Sequence, residues 1–176
     1  THALLSGEPG TGKEGLAKAL HAAMHPSTTA PFVEVAARDR DPKELAVELF
    51  GAGARPGAVE RAAEGTLYLD EVAVLSGEIQ ARLCDVLRGR FHREDDPTLR
   101  TVAVSLVAST DQPDIRALVA SGQLRHDLFH RLARIELVVA DDGSPPEVQT
   151  DIRKLRFDVF VLPQGNRGIG ANVNAG

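Results

Sequence analysis

Close to the start of the chain, Gly7-Glu8-Pro9-Gly10-Thr11-Gly12-Lys13 follows the short apolar run His2 to Ser6 and precedes Leu16, Leu20 and Met24, apolar residues four positions apart. A strand, a glycine-rich turn and a helix in that order constrain the fold more than any other feature of this sequence. Glycines let the backbone approach an anion closely, and the loop amides with the following helix N-terminus hold phosphate. The spacing Gly7-x-x-x-x-Gly12-Lys13 is that of a phosphate-binding loop, in which Lys13 reaches the β- and γ-phosphates as a point charge. Ser or Thr normally follows the lysine and ligates Mg²⁺ through its hydroxyl; here that position is Glu14.

The pattern continues in alternation. Pro31 to Val35 reads as a second strand. Asp41 is placed to cap a helix with Pro42 in its first turn and Glu44 completing a capping box. Thr66 to Glu71, "TLYLDE", reads as a third strand, and Ser76 opens a helix with Ile79, Leu83 and Leu87 on one face. Thr101 to Thr110 reads as a fourth strand, short helices start near Pro113 and Gln123, and Arg134 to Val139 supplies a fifth strand. Strands alternating with helices predict an α/β fold, a parallel five-stranded sheet with helices on both faces and ligands beyond the carboxyl ends of the strands.

The third strand ends in paired acids. Asp70 is placed to hold Mg²⁺, directly or through water, and Glu71 to orient or activate an attacking water. Paired acids after a strand are also common in solvated turns; their pairing with a phosphate loop two strands away is what favours chemistry. Arg125 and Arg131, in "GQLRHDLFHRLARIE", lie six apart and so do not share a helix face. Taken alone they read as surface arginines.

Taken together, "GEPGTGKE", "PFVEV", "ELFG", "GTLYLDE", "VSLVAST" and "GQLRHDLFHRL" resemble the AAA+ ATPase domain of the sigma-54-dependent transcription activators, the bacterial enhancer-binding proteins, from about Leu4 to Val139. The resemblance implies a three-layer α/β/α P-loop core at residues 1–139, binding ATP and Mg²⁺, followed by a divergent segment at 140–176. It makes Gly7, Gly10, Gly12 and Lys13, with Glu8, Pro9, Thr11 and Glu14, the Walker A cradle, and Asp70 with Glu71 the Walker B pair. A Glu commonly follows the lysine in that family, so Glu14 matches a family variant. The resemblance also makes Arg125 and Arg131 arginine fingers that reach the γ-phosphate bound by the next subunit of a ring, commonly a hexamer. An arginine supplied in trans is worth about 10³–10⁵ in rate. Thr110 and Asp111 fall at the family's sensor I Thr-Asn.

Four departures accompany the resemblance. An ionised Asp111 accepts hydrogen bonds but cannot donate as an Asn amide does. After Glu48 to Gly51 the chain continues "AGARPGAVERAAEG", without the Gly-Ala-Phe-Thr-Gly-Ala loop that engages sigma-54. Ala36 stands at the position of the family's switch Asn and cannot hold Glu71 through a side-chain hydrogen bond. After Val139 there is no recognisable helical lid or sensor II arginine, and the chain reads as a fragment or trimmed core. The implied function is an ATP-hydrolysing regulator core acting in a homo-oligomeric ring. Its rival is a non-hydrolysing, nucleotide-dependent assembly module that does not engage the sigma factor.

Other chemistry finds less support. Net charge −5 argues against direct nucleic-acid binding by this domain. The sequence contains no signal-like segment and no apolar run of transmembrane length, and the single Cys84 reads as a core residue in a reducing compartment, so a cytoplasmic location without membrane contact is expected. His21 with His25, and His126 with His130, have metal-compatible spacing but no third ligand of known pattern, and read as helix-surface residues. Gly168 to Gly170 follows a short strand-like run, "DVFVL", too late for a dinucleotide-binding unit to be completed.

Overall fold

The computed structural model describes residues 1–26, 29–133, 136–138 and 160–161. Its elements are β1 (His2–Ser6), α1 (Lys13–Met24), β2 (Phe32–Ala36), α2 (Pro42–Phe50), β3 (Gly51–Ala52), β4 (Arg55–Pro56), α3 (Ala58–Arg61), β5 (Thr66–Asp70), a 3₁₀ turn (Val72–Val74), α4 (Gly77–Val86), β6 (Arg90–Phe91), β7 (Arg100–Thr101), β8 (Ser105–Thr110), α5 (Ile115–Ala120), α6 (His126–Leu132), β9 (Glu136–Val138) and β10 (Phe160–Val161).

The expected parallel sheet of five strands is present in the order β9-β1-β8-β5-β2. A sixth, two-residue strand, β10, pairs antiparallel with β9. The rest of 140–176 lies outside the described residues, as do the ends of the expected strand Arg134 to Val139.

Side-chain alternation along the strands covers both sheet faces. Leu4, Leu67, Leu69, Leu106 and Ala108 join one core with Leu45 and Leu49 of α2, Ile79 and Leu83 of α4, and Leu128 and Leu132 of α6. Their neighbours Ala3, Leu5, Tyr68 and Val107 face the other way, against Leu16 and Ala17 of α1 with Leu20 and Met24 packed beside them. The two apolar clusters therefore define three layers. Asp41 caps α2 through Oδ1, which accepts from the amides of Lys43 (2.9 Å) and Glu44 (3.1 Å). Among the described residues, only this aspartate half of the anticipated capping box forms.

The expected strand Thr101 to Thr110 is interrupted. Its first residue pairs with Arg90 in the β6–β7 hairpin, and the sheet strand starts only at Ser105. Neighbouring strands explain the break: the partners of β8 begin at Thr66, opposite Ser105, and at His2, opposite Leu106. Among the described residues neither partner strand extends further upstream, and Val102 instead donates to Gly89 (3.0 Å).

Candidate nucleotide-binding site

Parallel pairing brings the candidate residues together. Ser6 is opposite Thr110, and Ala36 is opposite Asp70, so β1, β2, β5 and β8 all finish at one edge of the sheet. The residues that follow, Gly7, Ala37, Glu71 and Asp111, leave that edge together. Gly7 donates its amide to Thr110 (3.3 Å), and Ala37 donates to Asp70 (3.0 Å).

Gly10 and Gly12 have φ of 84° and 83°, in the left-handed region that glycine enters without a Cβ penalty. The Thr11 hydroxyl closes the turn by donating to the Glu8 carbonyl at 2.8 Å. The loop curls around Lys13, whose buried Nζ donates to the carbonyls of Gly7 (2.9 Å) and Glu8 (2.8 Å) and pairs with Asp111 Oδ1 at 2.8 Å. Glu14 turns elsewhere, pairing with Lys18 on the exposed surface of α1. Pro9 is an exposed member of the turn.

At the end of β5, Asp70 Oδ1 accepts from Ser109 Oγ at 2.5 Å and from the Tyr68 hydroxyl at 3.4 Å. Burial raises the Tyr68 phenol well above its ordinary pKa, so it is a hydrogen-bond donor at neutral pH. These two hydroxyls anchor one carboxylate oxygen and leave Oδ2 without a hydrogen bond among the described residues. A hard oxygen donor fixed at a strand end suits Mg²⁺. No cluster of three or more His, Cys, Asp or Glu side chains capable of holding a metal occurs among the described residues. Metal held here would therefore rest on Asp70, phosphate oxygens and water.

Glu71 is 4% exposed and adopts φ 67°, ψ 62°. A non-glycine residue is seldom left-handed, and strain of this kind concentrates at functional sites where surrounding contacts enforce it. The contacts are on both carboxylate oxygens: Oε1 accepts from the Thr110 hydroxyl (2.8 Å), and Oε2 accepts from Arg38 Nη2 (2.7 Å) and the Asp111 amide (3.1 Å). Arg38 also pairs with Asp111.

Arg38 and Ser109 escape sequence reasoning. Arg38 stands in the charged run "ARDRD" directly after β2, where a solvated face is the ordinary reading; its signal is that β2 ends beside β5, which only the strand order reveals.

The two arginines of the α6 region do not join this cluster within the chain. Arg125 precedes α6 and pairs side-on with Asp127 (Nε to Oδ1 3.0 Å, Nη2 to Oδ2 2.9 Å). That guanidinium holds the Asp127 carboxyl down at about 2. Arg125 is positioned by Gln80, a 1% exposed residue of α4 whose Oε1 accepts the Arg125 amide at 2.8 Å. Arg131 lies in the last turn of α6. Neither arginine bonds Lys13, Asp70 or Glu71 among the described residues.

The remaining candidates behave as core or surface groups. Cys84 is buried, and burial pushes its thiol up to about 11, the opposite of an activated nucleophile. His21 packs on Phe32 and meets Thr66 Oγ1 at 2.8 Å, while the His126 and His130 rings touch on the exposed face of α6. A cleft of about 320 Å³ opens beside Thr1, His2 and Ser105, at the starting end of the strands and away from Lys13.

A three-layer sheet with its glycine loop and acid pair at one edge defines the class as a P-loop AAA+ nucleotide-binding fold. Residues 1–138 match the sigma-54 interaction domain, and the chain belongs to that family. It is 40% identical over 169 residues to the phenol regulator MopR of Acinetobacter guillouiae, covering 90% of this chain and 28% of MopR. The anaerobic nitric oxide reductase transcription regulator NorR of Escherichia coli (strain K12) is likewise 40% identical over 169 residues, covering 90% of this chain and 31% of NorR. The chain thus spans about a third or less of the length of these relatives. Among solved structures, NtrX from Brucella abortus in complex with ADP superposes with a TM-score of 0.72 at 36% identity, covering 80% of this chain and 32% of that one. NtrX in complex with ATP gives 0.71 at 37%, covering 79% and 31%.

Proposed function

We propose that residues 1–139 form an ATP-binding and ATP-hydrolysing core of a cytoplasmic bacterial transcriptional regulator, working between subunits of a homo-oligomeric ring, on the pattern of a hexamer. One observation carries the reading. Asp111 pairs with Lys13 through its side chain and donates its amide to Glu71, so the phosphate-binding lysine and the candidate base are one residue apart.

In this reading the amides of Gly7 to Gly12 bind the phosphate chain and Lys13 bears its terminal charge. Asp70 would hold Mg²⁺, which neutralises phosphate charge when bound. Glu71, desolvated and fixed on both oxygens, would orient a water for in-line attack. Arg125 and Arg131 of a neighbouring subunit would supply the fingers, and their lack of contact with this chain's own Lys13 and Glu71 is what such a role requires. No helix among the described residues is long and apolar enough to cross a membrane, and the acidic balance favours protein over nucleic-acid contacts.

A second reading, nucleotide-controlled assembly without engagement of sigma-54, draws on one feature. Where the family carries its contact loop, α2 runs directly into the β3–β4 hairpin, with Gly51 opposite Pro56. No long protrusion lies between them.

The deciding experiment is steady-state ATP hydrolysis across protein concentration. Turnover per subunit rising with concentration, and lost in Lys13→Ala and Glu71→Gln, supports the first reading; nucleotide binding without turnover supports the second. A pull-down with sigma-54 is expected to be negative under either, and robust capture would overturn that part.

A further inference from the structure

Four charged side chains alternate in sign across the strand ends: Lys13, Asp111, Arg38 and Glu71. Lys13 Nζ meets Asp111 Oδ1 at 2.8 Å, Asp111 Oδ2 meets Arg38, and Arg38 Nη2 meets Glu71 Oε2 at 2.7 Å. The outer members, Lys13 and Glu71, are 7% and 4% exposed. A buried carboxylate without a partner is costly, so the hold on Glu71 is a matter of stability as well as position. Ala36, the residue that closes β2, has no side chain able to reach it; Arg38, two residues on, does.

We propose that Arg38 and Asp111 form an ion-pair relay between the two halves of the site. Arg38 is the positioning residue for Glu71, and Asp111 is the carboxylate that nucleotide phosphate must displace from Lys13. The inference rests on the nucleotide-binding reading above and extends it. Lys13 has three hydrogens to donate, and Gly7, Glu8 and Asp111 engage all three, so an incoming phosphate oxygen competes with one of them. Asp111 is the charged competitor and the one with another cation to turn to. Once phosphate takes its place on Lys13, Asp111 bears on Arg38 alone, and the Arg38 hold on Glu71 weakens as that pair strengthens. Occupancy at one strand end is thereby transmitted to the carboxylate at the next without backbone movement.

The relay makes opposite predictions for its two middle members. Asp111→Asn removes the competing charge and tightens binding of a non-hydrolysable ATP analogue with Mg²⁺, by about threefold or more in titration calorimetry. Arg38→Ala leaves Asp111 unshared on Lys13 and weakens binding by about threefold or more, yet by less than about twofold in the Asp111→Asn background. Weaker binding in Asp111→Asn, or an equal Arg38 effect in both backgrounds, overturns the relay. The Arg38–Glu71 contact is read separately through melting temperature. Arg38→Ala and Glu71→Gln are expected to shift it by less together than the sum of their separate shifts, with Arg38→Lys recovering most of the loss, whereas additive shifts and no recovery remove Arg38 as positioning residue. Both measurements run without turnover. An absence of hydrolysis in the wild-type protein would count against the enzymatic reading alone, and a failure of the wild-type protein to bind the analogue would overturn both.

Discussion

The Thr110 hydroxyl donates to Glu71 Oε1 at 2.8 Å, joining the ends of two adjacent strands across 39 residues of sequence. Thr110 Oγ1 also accepts the Gln112 amide at 3.2 Å, so one buried side chain ties the candidate base to the turn that carries Asp111. Thr110→Val keeps the shape and removes both bonds. Leaving the buried Glu71 oxygen without this donor costs about 1–3 kcal/mol. Urea unfolding should show that loss, and any ATP turnover should fall while analogue binding changes less than about twofold. Unchanged stability would mean that the hydroxyl is dispensable.

Much of this arrangement is legible in the sequence because it follows from local chemistry. A glycine loop between an apolar run and a helix, and an acidic pair ending a strand, fix what sits at the strand ends once the sheet is parallel. Register is another matter. Whether Ala36 lies opposite Asp70, bringing Arg38 over Glu71, depends on which strands become neighbours, and no periodicity states that. The split of Thr101 to Thr110 fails for the same reason: β-branched residues favour a strand, but where the strand begins is set by where β1 and β5 begin. The family likeness points to Asp111 and Ala36 as departures, and only the fold brings Arg38 beside them.

Gln80 predicts a second effect, at distance from the acids. Its Nε2 donates to the carbonyls of Leu75 (2.9 Å) and Gln123 (2.7 Å), and its Oε1 accepts the Arg125 amide. Gln80→Leu, similar in bulk, strips the Leu75 and Gln123 carbonyls and the Arg125 amide of these bonds, the first buried and the other two partly so, and should destabilise by about 1–3 kcal/mol in denaturant titration. If Arg125 acts across a subunit boundary, the same variant should lose turnover with nucleotide affinity intact. Full stability in this variant would show that water replaces the amide without cost.

His21 gives the fold a pH dependence of definite sign. Burial, and then the neighbouring His25, push its imidazole below its ordinary value of 6.5. The unfolded chain therefore takes up this proton more readily than the native one. Stability contributed by neutral His21 is complete above about pH 6.5 and declines as pH falls through the lower native value. Thermal melts between pH 8 and 5 should show a shallower acid decline in His21→Gln, which keeps a polar group near Thr66 and cannot titrate. Parallel pH profiles for the two proteins would exclude His21 as the cause.

Glycines at two positions should respond oppositely to alanine. At Gly57 an added Cβ would lie 2.4 Å from the Leu49 carbonyl oxygen and 2.4 Å from the Gly51 amide, both backbone atoms that cannot swing aside. The β3–β4 hairpin closes so tightly between α2 and α3 that Gly57→Ala must open it, and overpacking of this kind costs about 1–3 kcal/mol. At Gly15, inside α1, a Cβ meets nothing within 4 Å, and φ there is not in the left-handed region. Gly15→Ala should instead stabilise by about 0.4–1 kcal/mol, because alanine has less freedom to lose on folding. Denaturant midpoints of both variants check the contrast. A Gly57→Ala protein as stable as the wild type would mean that the hairpin is looser than the close approach of Gly51 to Gly57 implies.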